Sequence, residues 1–176
     1  MKKLYKWKKN GKMVIKKKIL SDQIKYQIEQ YKKLNKKIVF TNGCFDLLHK
    51  GHKFSLDFAS NQGDYLVVGL NSDKSIKRLK GKSRPIQNQK IRFKNLKNLK
   101  NVDLVIIFDD DTPENLIKEI KPNILIKGKD YEKKDVVGKN YVESYGGKLV
   151  FSPILSGFST TNIVKNESKK KIKQLD

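Results

Sequence analysis

The sequence predicts an α/β fold, namely an open, mostly parallel sheet of about five strands with helices on both faces. Short apolar runs recur between segments of helical spacing, and they lack the alternation of half-exposed strands. A strand, a helix and a second buried strand imply a right-handed parallel crossover. Loops rich in polar residues follow these runs, as is typical of Rossmann-like sheets. The predicted strands are residues 38–40, 64–70, 102–108, 123–127 and 148–151.

The first 19 residues are predicted to be a lysine-rich extension with two short strands. Asn10-Gly11 lies between two runs of apolar and basic residues, and this dipeptide is typical of a type I′ hairpin turn. One interpretation is a contact in a homo-oligomer through Tyr5 and Trp7. The alternative is a solvated appendage.

Helices are predicted between the strands. Apolar residues recur at helical spacing over residues 20–34, and Ser21 is a candidate N-cap. Pro113 is expected to open a later helix at its first position, with Thr112 as the cap. Gly146-Gly147 is expected to end a partly helical segment before the last strand.

Length and charge limit the function classes. The 176 residues suit one main domain, expected over residues 20–168, followed by a basic tail over residues 169–176. The formal net charge is +22, and every cation except Arg78, Arg84 and Arg92 is a lysine. These lysines are scattered along the chain, so we expect a solvated surface and no specific nucleic-acid site. A basic polyanion-binding protein is the alternative from another class.

Cysteine usage and hydropathy indicate a cytoplasmic protein without a membrane segment. Cys44 is the only cysteine, which rules out an intramolecular disulfide and fits a reducing compartment. No apolar run approaches the roughly 20 residues that a membrane-spanning helix needs. We therefore expect no membrane partner.

The most informative segment runs from Thr41 to His52 and contains both histidines of the chain, His49 and His52. It follows an apolar run and precedes a helical pattern, so it reads as strand, glycine-containing loop and helix. The first N–H groups of a helix are unpaired and its dipole is positive there, so this loop can receive phosphate oxygens. Two imidazoles can donate to the same phosphates. One alternative is that the two histidines are purely structural. Another is that they form half of a metal site, but the chain has few further soft ligands and the metal ligands stay unknown.

The run Gly43-Cys44-Phe45-Asp46-Leu47-Leu48-His49-Lys50-Gly51-His52 resembles the nucleotide-binding signature of the cytidylyltransferase-like nucleotidyltransferase superfamily. Within it, the chain is most similar to D-glycero-β-D-manno-heptose 1-phosphate adenylyltransferases, over about residues 20 to 165. The resemblance implies that His49 and His52 stabilise the transition state. The nucleotide contacts that we expect in this segment are Asn42, Gly43, Cys44, Phe45 and Gly51.

The stretch from Arg78 to Pro85, after the second main strand, resembles the family's R-L-K-G-x-x-R-P, and its residues 80–85 are expected to form a basic loop. Such a loop can close over a triphosphate and supply cations against its charge. Lys80 is the first candidate, as a catalytic cation, and Arg84 is the second, as a nucleotide contact, with ordinary solvated cations as the alternative. The resemblance also gives Arg92, on the next helix, a catalytic contact with the nucleotide phosphates, for which its bidentate fork is suited. A surface salt bridge is the rival interpretation of Arg92.

Two further motifs complete the predicted site. Lys127-Gly128-Lys129-Asp130-Tyr131 is similar to the family's K-G-x-D-Y. Gly128 would allow close approach to the nucleobase, while Lys127 and Asp130 would contact a phosphate or sugar hydroxyls; a plain turn is the alternative. Ser159, Thr160 and Thr161 are expected to form a second anion site at a helix start, or simply a cap. No arginine precedes this last motif, which disfavours CTP.

The resemblance implies an enzyme that transfers AMP from ATP to a sugar 1-phosphate with Mg²⁺ as cofactor. The expected acceptor is D-glycero-β-D-manno-heptose 1-phosphate, and the expected products are ADP-heptose for the lipopolysaccharide core and pyrophosphate. A heptose kinase and a phosphatase are expected as separate chains. A cytidylyltransferase acting on glycerol 3-phosphate or a related polyol phosphate is the alternative.

Overall fold

The computed structural model describes residues 4–9, 12–17 and 19–155, with only the backbone described before residue 19. Strands β1 (Leu4–Lys9) and β2 (Lys12–Lys17) pair antiparallel as a separate two-stranded sheet. The turn predicted at residues 10–11 lies outside the described residues, as does the tail at residues 169–176. The division into extension, domain and tail stays a prediction.

The main sheet has five parallel strands in the order β5-β4-β3-β6-β7, which confirms the predicted fold class. These strands are β3 (Ile38–Gly43), β4 (Tyr65–Asn71), β5 (Leu104–Phe108), β6 (Ile124–Gly128) and β7 (Lys148–Ser152). Every residue of β4 is buried, because helices cover both faces of a parallel sheet.

Six α-helices connect the strands within the described ranges. They are α1 (Asp22–Lys33), α2 (Lys50–Ser60), α3 (Asp73–Lys80), α4 (Gln89–Lys97), α5 (Glu114–Ile120) and α6 (Lys139–Glu143). The predicted cap of α1 is correct, since the Ser21 side chain accepts from the Ile24 N–H. The predicted cap of α5 is wrong. Pro113 itself occupies the N-cap position, no side chain caps the helix there, and Thr112 lies one residue earlier.

The core lies in two layers, one on each face of the sheet. Ile28 of α1, Ile117 of α5 and Val142 of α6 pack on one face. Leu56 of α2 and Leu96 of α4 pack on the other face. Burying one such side chain contributes about 1.5–3 kcal/mol, so the two layers stabilise the sheet from both faces. No helix within the described ranges is long and apolar enough to cross a bilayer.

The winding of the sheet reverses at its centre. From β3 the chain moves through β4 to the edge strand β5, and then returns to place β6 on the other side of β3. In sheets of this kind a crevice opens at the carboxyl ends of the strands beside the reversal. Here it opens between Gly43, which ends β3, and Gly128, which ends β6.

Candidate active site

A cavity of about 560 Å³ opens at the carboxyl ends of the central strands. It is large enough for a small-molecule ligand. The predicted site residues that line it are Asn42, Gly43, Cys44, Phe45, His52, Lys80, Lys127, Gly128 and Asp130. Those that lie outside its lining are His49, Gly51, Arg84 and Arg92. Ser159, Thr160 and Thr161 fall outside the described residues, so their convergence on this cavity stays a prediction.

The two histidines form a stacked pair at the start of α2. Their ring centroids are 3.8 Å apart with an interplanar angle of 21°. His49 is the N-cap, and its Nδ1 accepts from the backbone N–H of His52 at 3.3 Å. An accepting Nδ1 in a neutral imidazole leaves the proton on Nε2. His49 therefore presents an Nε2–H donor beside the helix N-terminus, although it lies outside the lining of the cavity itself.

Both imidazoles are neutral at physiological pH. Burial lowers the pKa of His52 to about 4, and the adjacent His49 adds to this effect. Burial also lowers the pKa of His49. The Nδ1 atom of His52 is buried and has no hydrogen-bond partner within the described part of the chain. A buried imidazole without an ionic partner gains a proton only when negative charge arrives beside it.

The loop between β3 and α2 turns sharply at Phe45. This residue has a φ of +45°, which L side chains rarely adopt. Its ring lies 5.2 Å from the His52 ring, between centroids, and a side chain at Gly43 would meet the Phe45 ring at 3.1 Å. Gly43 therefore leaves the space in which Phe45 packs against His52. Strain of this kind is typical of functional loops.

Lys80, the last residue of α3, lines the cavity near Cys44 and His52. Its positive charge helps to lower the pKa of His52. Burial raises the pKa of the Cys44 thiol, although the charges of Lys80 and Arg92 oppose that rise. Lys80 therefore brings a cation to the cavity wall, and its catalytic role stays a prediction.

The Arg92 side chain is fully buried, so the rival interpretation as a surface salt bridge is wrong. Its predicted contact with the nucleotide phosphates stays a prediction. Its guanidinium donates to the carbonyl oxygens of Cys44, Asn71 and Gln87 and pairs with Asp73 at 2.8 Å. Four of the five guanidinium N–H groups therefore have protein partners.

Arg84 also contacts protein groups. It pairs with Asp46 at 2.7 Å, and the same carboxylate accepts from the backbone N–H groups of Ile86 and Gln87. Asp46 is almost fully buried. Asp46 therefore fixes the basic loop of residues 80–85 against the loop between β3 and α2, here called the histidine loop, and Arg84 balances the Asp46 charge.

Lys127 and Asn42 meet across the reversal point of the sheet. The Lys127 ammonium donates to the Asn42 side-chain oxygen at 2.5 Å and lies 5.6 Å from the centroid of the Tyr131 ring. Burial lowers the pKa of Lys127 to about 8, against the attraction of Asp130. Lys127 lies in β6 on one side of β3, and Lys80 ends the helix that follows β4 on the other side. Two cations therefore flank the histidine loop.

Some lining residues were not predicted from the sequence. They are Thr41, Ser55, Leu56, Asn71, Leu79, Asp111, Thr112, Pro113, Tyr131, Asp135, Val136 and Val137. The position of Asp111 and Thr112 directly after β5 could have identified them, because loops at that end of the strands meet in one crevice. Asp135 gave no comparable signal, since a short helical turn at Lys129–Tyr131 separates it from the end of β6.

In the part of the chain that the structure describes, three carboxylates line the cavity, namely Asp111, Asp130 and Asp135. Within the described residues, no group of three histidine, cysteine or acidic side chains is placed to hold a metal ion. The available oxygen donors are single carboxylates such as Asp111, Asp130 and Asp135. Such a set fits a Mg²⁺ ion that is held mainly by phosphate oxygens and water.

The matched family model is described as "Cytidylyltransferase-like" and covers residues 40–166. Three curated relatives carry the name "Bifunctional protein HldE". The one from Geobacter metallireducens is 53% identical over 137 residues, which is 78% of this chain and 28% of the relative. The one from Aliarcobacter butzleri is 54% identical over 132 residues, with 75% and 27% covered. The one from Gluconobacter oxydans is 49% identical over 138 residues, with 78% and 29% covered.

A solved structure is also similar. The lipopolysaccharide core biosynthesis protein from Thermoplasma volcanium matches with a TM-score of 0.55 and 30% identity, over 68% of this chain and 97% of that protein. By contrast, the chain spans less than a third of the length of the curated relatives named above.

Proposed function

Because this chain belongs to the cytidylyltransferase-like family, we propose that it is an adenylyltransferase that transfers AMP from ATP to a sugar 1-phosphate. The observation that carries the proposal is the stacked pair of His49 and His52 at the start of α2, with the cation of Lys80 beside it. A helix N-terminus, two imidazole donors and a lysine form a site for a polyphosphate. The products would be a nucleoside diphosphate sugar and pyrophosphate.

The proposed reaction is a direct displacement. A phosphate oxygen of the sugar 1-phosphate attacks the α-phosphorus of ATP, the bond from that phosphorus to the β-phosphate bridging oxygen breaks, and pyrophosphate leaves with the electron pair. A covalent intermediate is not needed. Cys44 is the only thiol in the chain, and burial raises its pKa, so it stays protonated and is a poor nucleophile.

The protein's task is then to align two anions and to balance the charge that develops between them. His49 donates from Nε2, which its bond to the His52 N–H requires. His52 is neutral before binding, and the arriving triphosphate would raise its pKa and favour its charged form. Lys80 supplies a permanent positive charge against the departing pyrophosphate.

Other lining residues support a polyhydroxylated acceptor. Asp111, Asp130 and Asp135 add carboxylate acceptors to the cavity of a protein with a net charge of +22, and Thr112 adds a hydroxyl. Carboxylates accept hydrogen bonds from sugar hydroxyls, while they repel a second polyphosphate. We propose D-glycero-β-D-manno-heptose 1-phosphate as the acceptor, which would make ADP-heptose for the lipopolysaccharide core in the cytoplasm. The similarity to a lipopolysaccharide core biosynthesis protein favours this choice.

Mg²⁺ belongs to the proposal as the ion bound to ATP. When bound, it would neutralise part of the triphosphate charge. Asp111 and Asp130 are the lining carboxylates that could hold one of its waters.

Incubation with ATP or CTP and a panel of sugar and polyol phosphates tests the proposal, with pyrophosphate release and product mass as the readouts. We expect turnover with ATP and heptose 1-phosphate. Turnover only with CTP and glycerol 3-phosphate would establish the alternative cytidylyltransferase. No pyrophosphate with any pair, combined with steeply salt-dependent binding of nucleic acid, would favour a polyanion-binding protein.

A further inference from the structure

The Arg92 guanidinium contacts four groups in three segments, namely the loop after β3, the junction of β4 and α3, and the loop before α4. Its Nη1 donates to the carbonyl of Cys44 at 2.7 Å, directly after β3, and to that of Asn71 at 2.9 Å, the last residue of β4. Its Nη2 pairs with Asp73 at 2.8 Å, the first residue of α3. Its Nε donates at 2.9 Å to the carbonyl of Gln87, shortly before α4.

These segments carry the charged groups of the candidate site. The chain that leaves Cys44 leads to His52, and the helix that begins at Asp73 ends at Lys80. We infer that Arg92 is a positioning residue that fixes the histidine loop relative to α3, so that His52 and Lys80 face the same triphosphate. This inference rests on the proposed function. It replaces the predicted direct contact between Arg92 and phosphate.

The chemistry of the side chain explains why an arginine is needed. Arg92 is fully buried, and Asp73 is its only carboxylate partner among the described residues. Three backbone carbonyls complete the compensation of its charge. A planar guanidinium offers five donors at fixed angles and can serve all four partners, whereas the three donors of a lysine ammonium cannot reproduce that geometry.

Positioning of this kind acts on the chemical step more than on binding. A displacement of about 1 Å can cost about 100-fold in rate while the same groups still bind substrate. We therefore expect Arg92→Lys to lower kcat by about 100-fold with little change in the Kd for ATP measured by calorimetry. Asp73→Asn, which keeps the oxygen acceptor but loses the charge, should show a smaller loss of kcat. Asp73 lies on a partly exposed helix start. Its variant therefore still tests the inference if Arg92→Lys does not fold.

Cys44 provides a direct report of the loop position. It is the only cysteine of the chain, it is partly buried, and its own carbonyl is an Arg92 acceptor. Release of this loop should speed the reaction of the Cys44 thiol with a disulfide reagent in both variants. Leu96→Ala is the matched control, because Leu96 is fully buried on the same helix and packs in the core layer. It should lower Tm without changing the kcat or the thiol reaction rate measured well below that Tm.

Three results would overturn the inference. They are an unchanged kcat in both the Arg92 and the Asp73 variants, a loss of ATP affinity with kcat preserved, and effects on kcat and thiol rate in Leu96→Ala equal to those in Arg92→Lys. Failure of the proposed function gives a different result. If the wild-type chain releases no pyrophosphate with any acceptor, the ATP-binding and thiol measurements still decide whether Arg92 fixes the loop.

Discussion

Neutral His52 makes the stability of the folded protein depend on pH in a way that can be measured. The folded pKa is about 4, against an ordinary value of 6.5 in the unfolded chain. Between these two values the unfolded chain binds a proton at this position and the folded chain does not. The free energy of unfolding therefore falls as the pH is lowered from 6.5 towards 4. The full shift corresponds to roughly 3 kcal/mol.

The assay is urea unfolding of the wild type and of His52→Gln at several pH values. A drop from pH 6.5 to about pH 5 covers 1.5 pH units, so the wild type should lose about 2 kcal/mol more stability than the variant. Parallel pH curves for the two proteins would refute the reasoning. The variant keeps the backbone N–H that His49 caps, so the helix start is preserved.

Proton NMR follows the same group directly. The chain has only two histidines, so two imidazole Cε1–H signals titrate. The His52 signal should titrate near pH 4 in the free protein, and ATP should raise its pKa because phosphate charge favours the imidazolium. A free-protein titration at the ordinary value of 6.5 would contradict the burial argument.

Three further predictions concern other residues. Lys80→Met should lower kcat/KM about 100- to 1,000-fold, since a cation aimed at developing charge is lost. Pyrophosphate release is the assay and Lys80→Arg is the control. Equal rates for Lys80→Met and the wild type would refute the role of Lys80. Lys127 has a pKa of about 8, so the affinity for anionic substrates should fall as the pH rises through 8. Lys127→Arg should remove that fall in calorimetric titrations. If the fall persists in the variant, Lys127 is not its cause. Gly138→Ala should destabilise the fold by about 1–3 kcal/mol, because φ is +92° and the added Cβ would lie 2.5 Å from Ile117 Cδ1; an unchanged urea midpoint would contradict this.

Local patterns predicted the elements well. Strand periodicity located all five main strands, and the Ser21 cap was correct, because both depend on neighbouring residues. The cap of α5 failed for a local reason as well. Pro113 takes the N-cap position itself with φ of −78°, so Thr112 is displaced out of the helix start.

Composition and resemblance predicted the residues that line the cavity less completely than local patterns predicted the strands and helices. The motif after β3 and the K-G-x-D-Y segment both reach the cavity. Arg84 and Arg92 were expected to face phosphates for their charge, yet Arg84 pairs with the buried Asp46 and Arg92 with the partly exposed Asp73, and only folding supplies these partners. Residue type indicates which chemistry a side chain can perform, but its partners decide whether it performs that chemistry.

The sequence by itself determined the order of strands and helices along the chain, the glycine-containing loop with both histidines before α2, and the residue types available there. Only the tertiary structure decided the roles of individual cations. Arg92 meets Cys44 across 48 positions and Lys127 meets Asn42 across 85. Contacts between such distant positions depend on how the strands are ordered in the sheet. A cation that is buried among carbonyls stabilises the fold, whereas a cation at the cavity wall is accessible to a substrate. No local sequence pattern distinguishes these two kinds of cation.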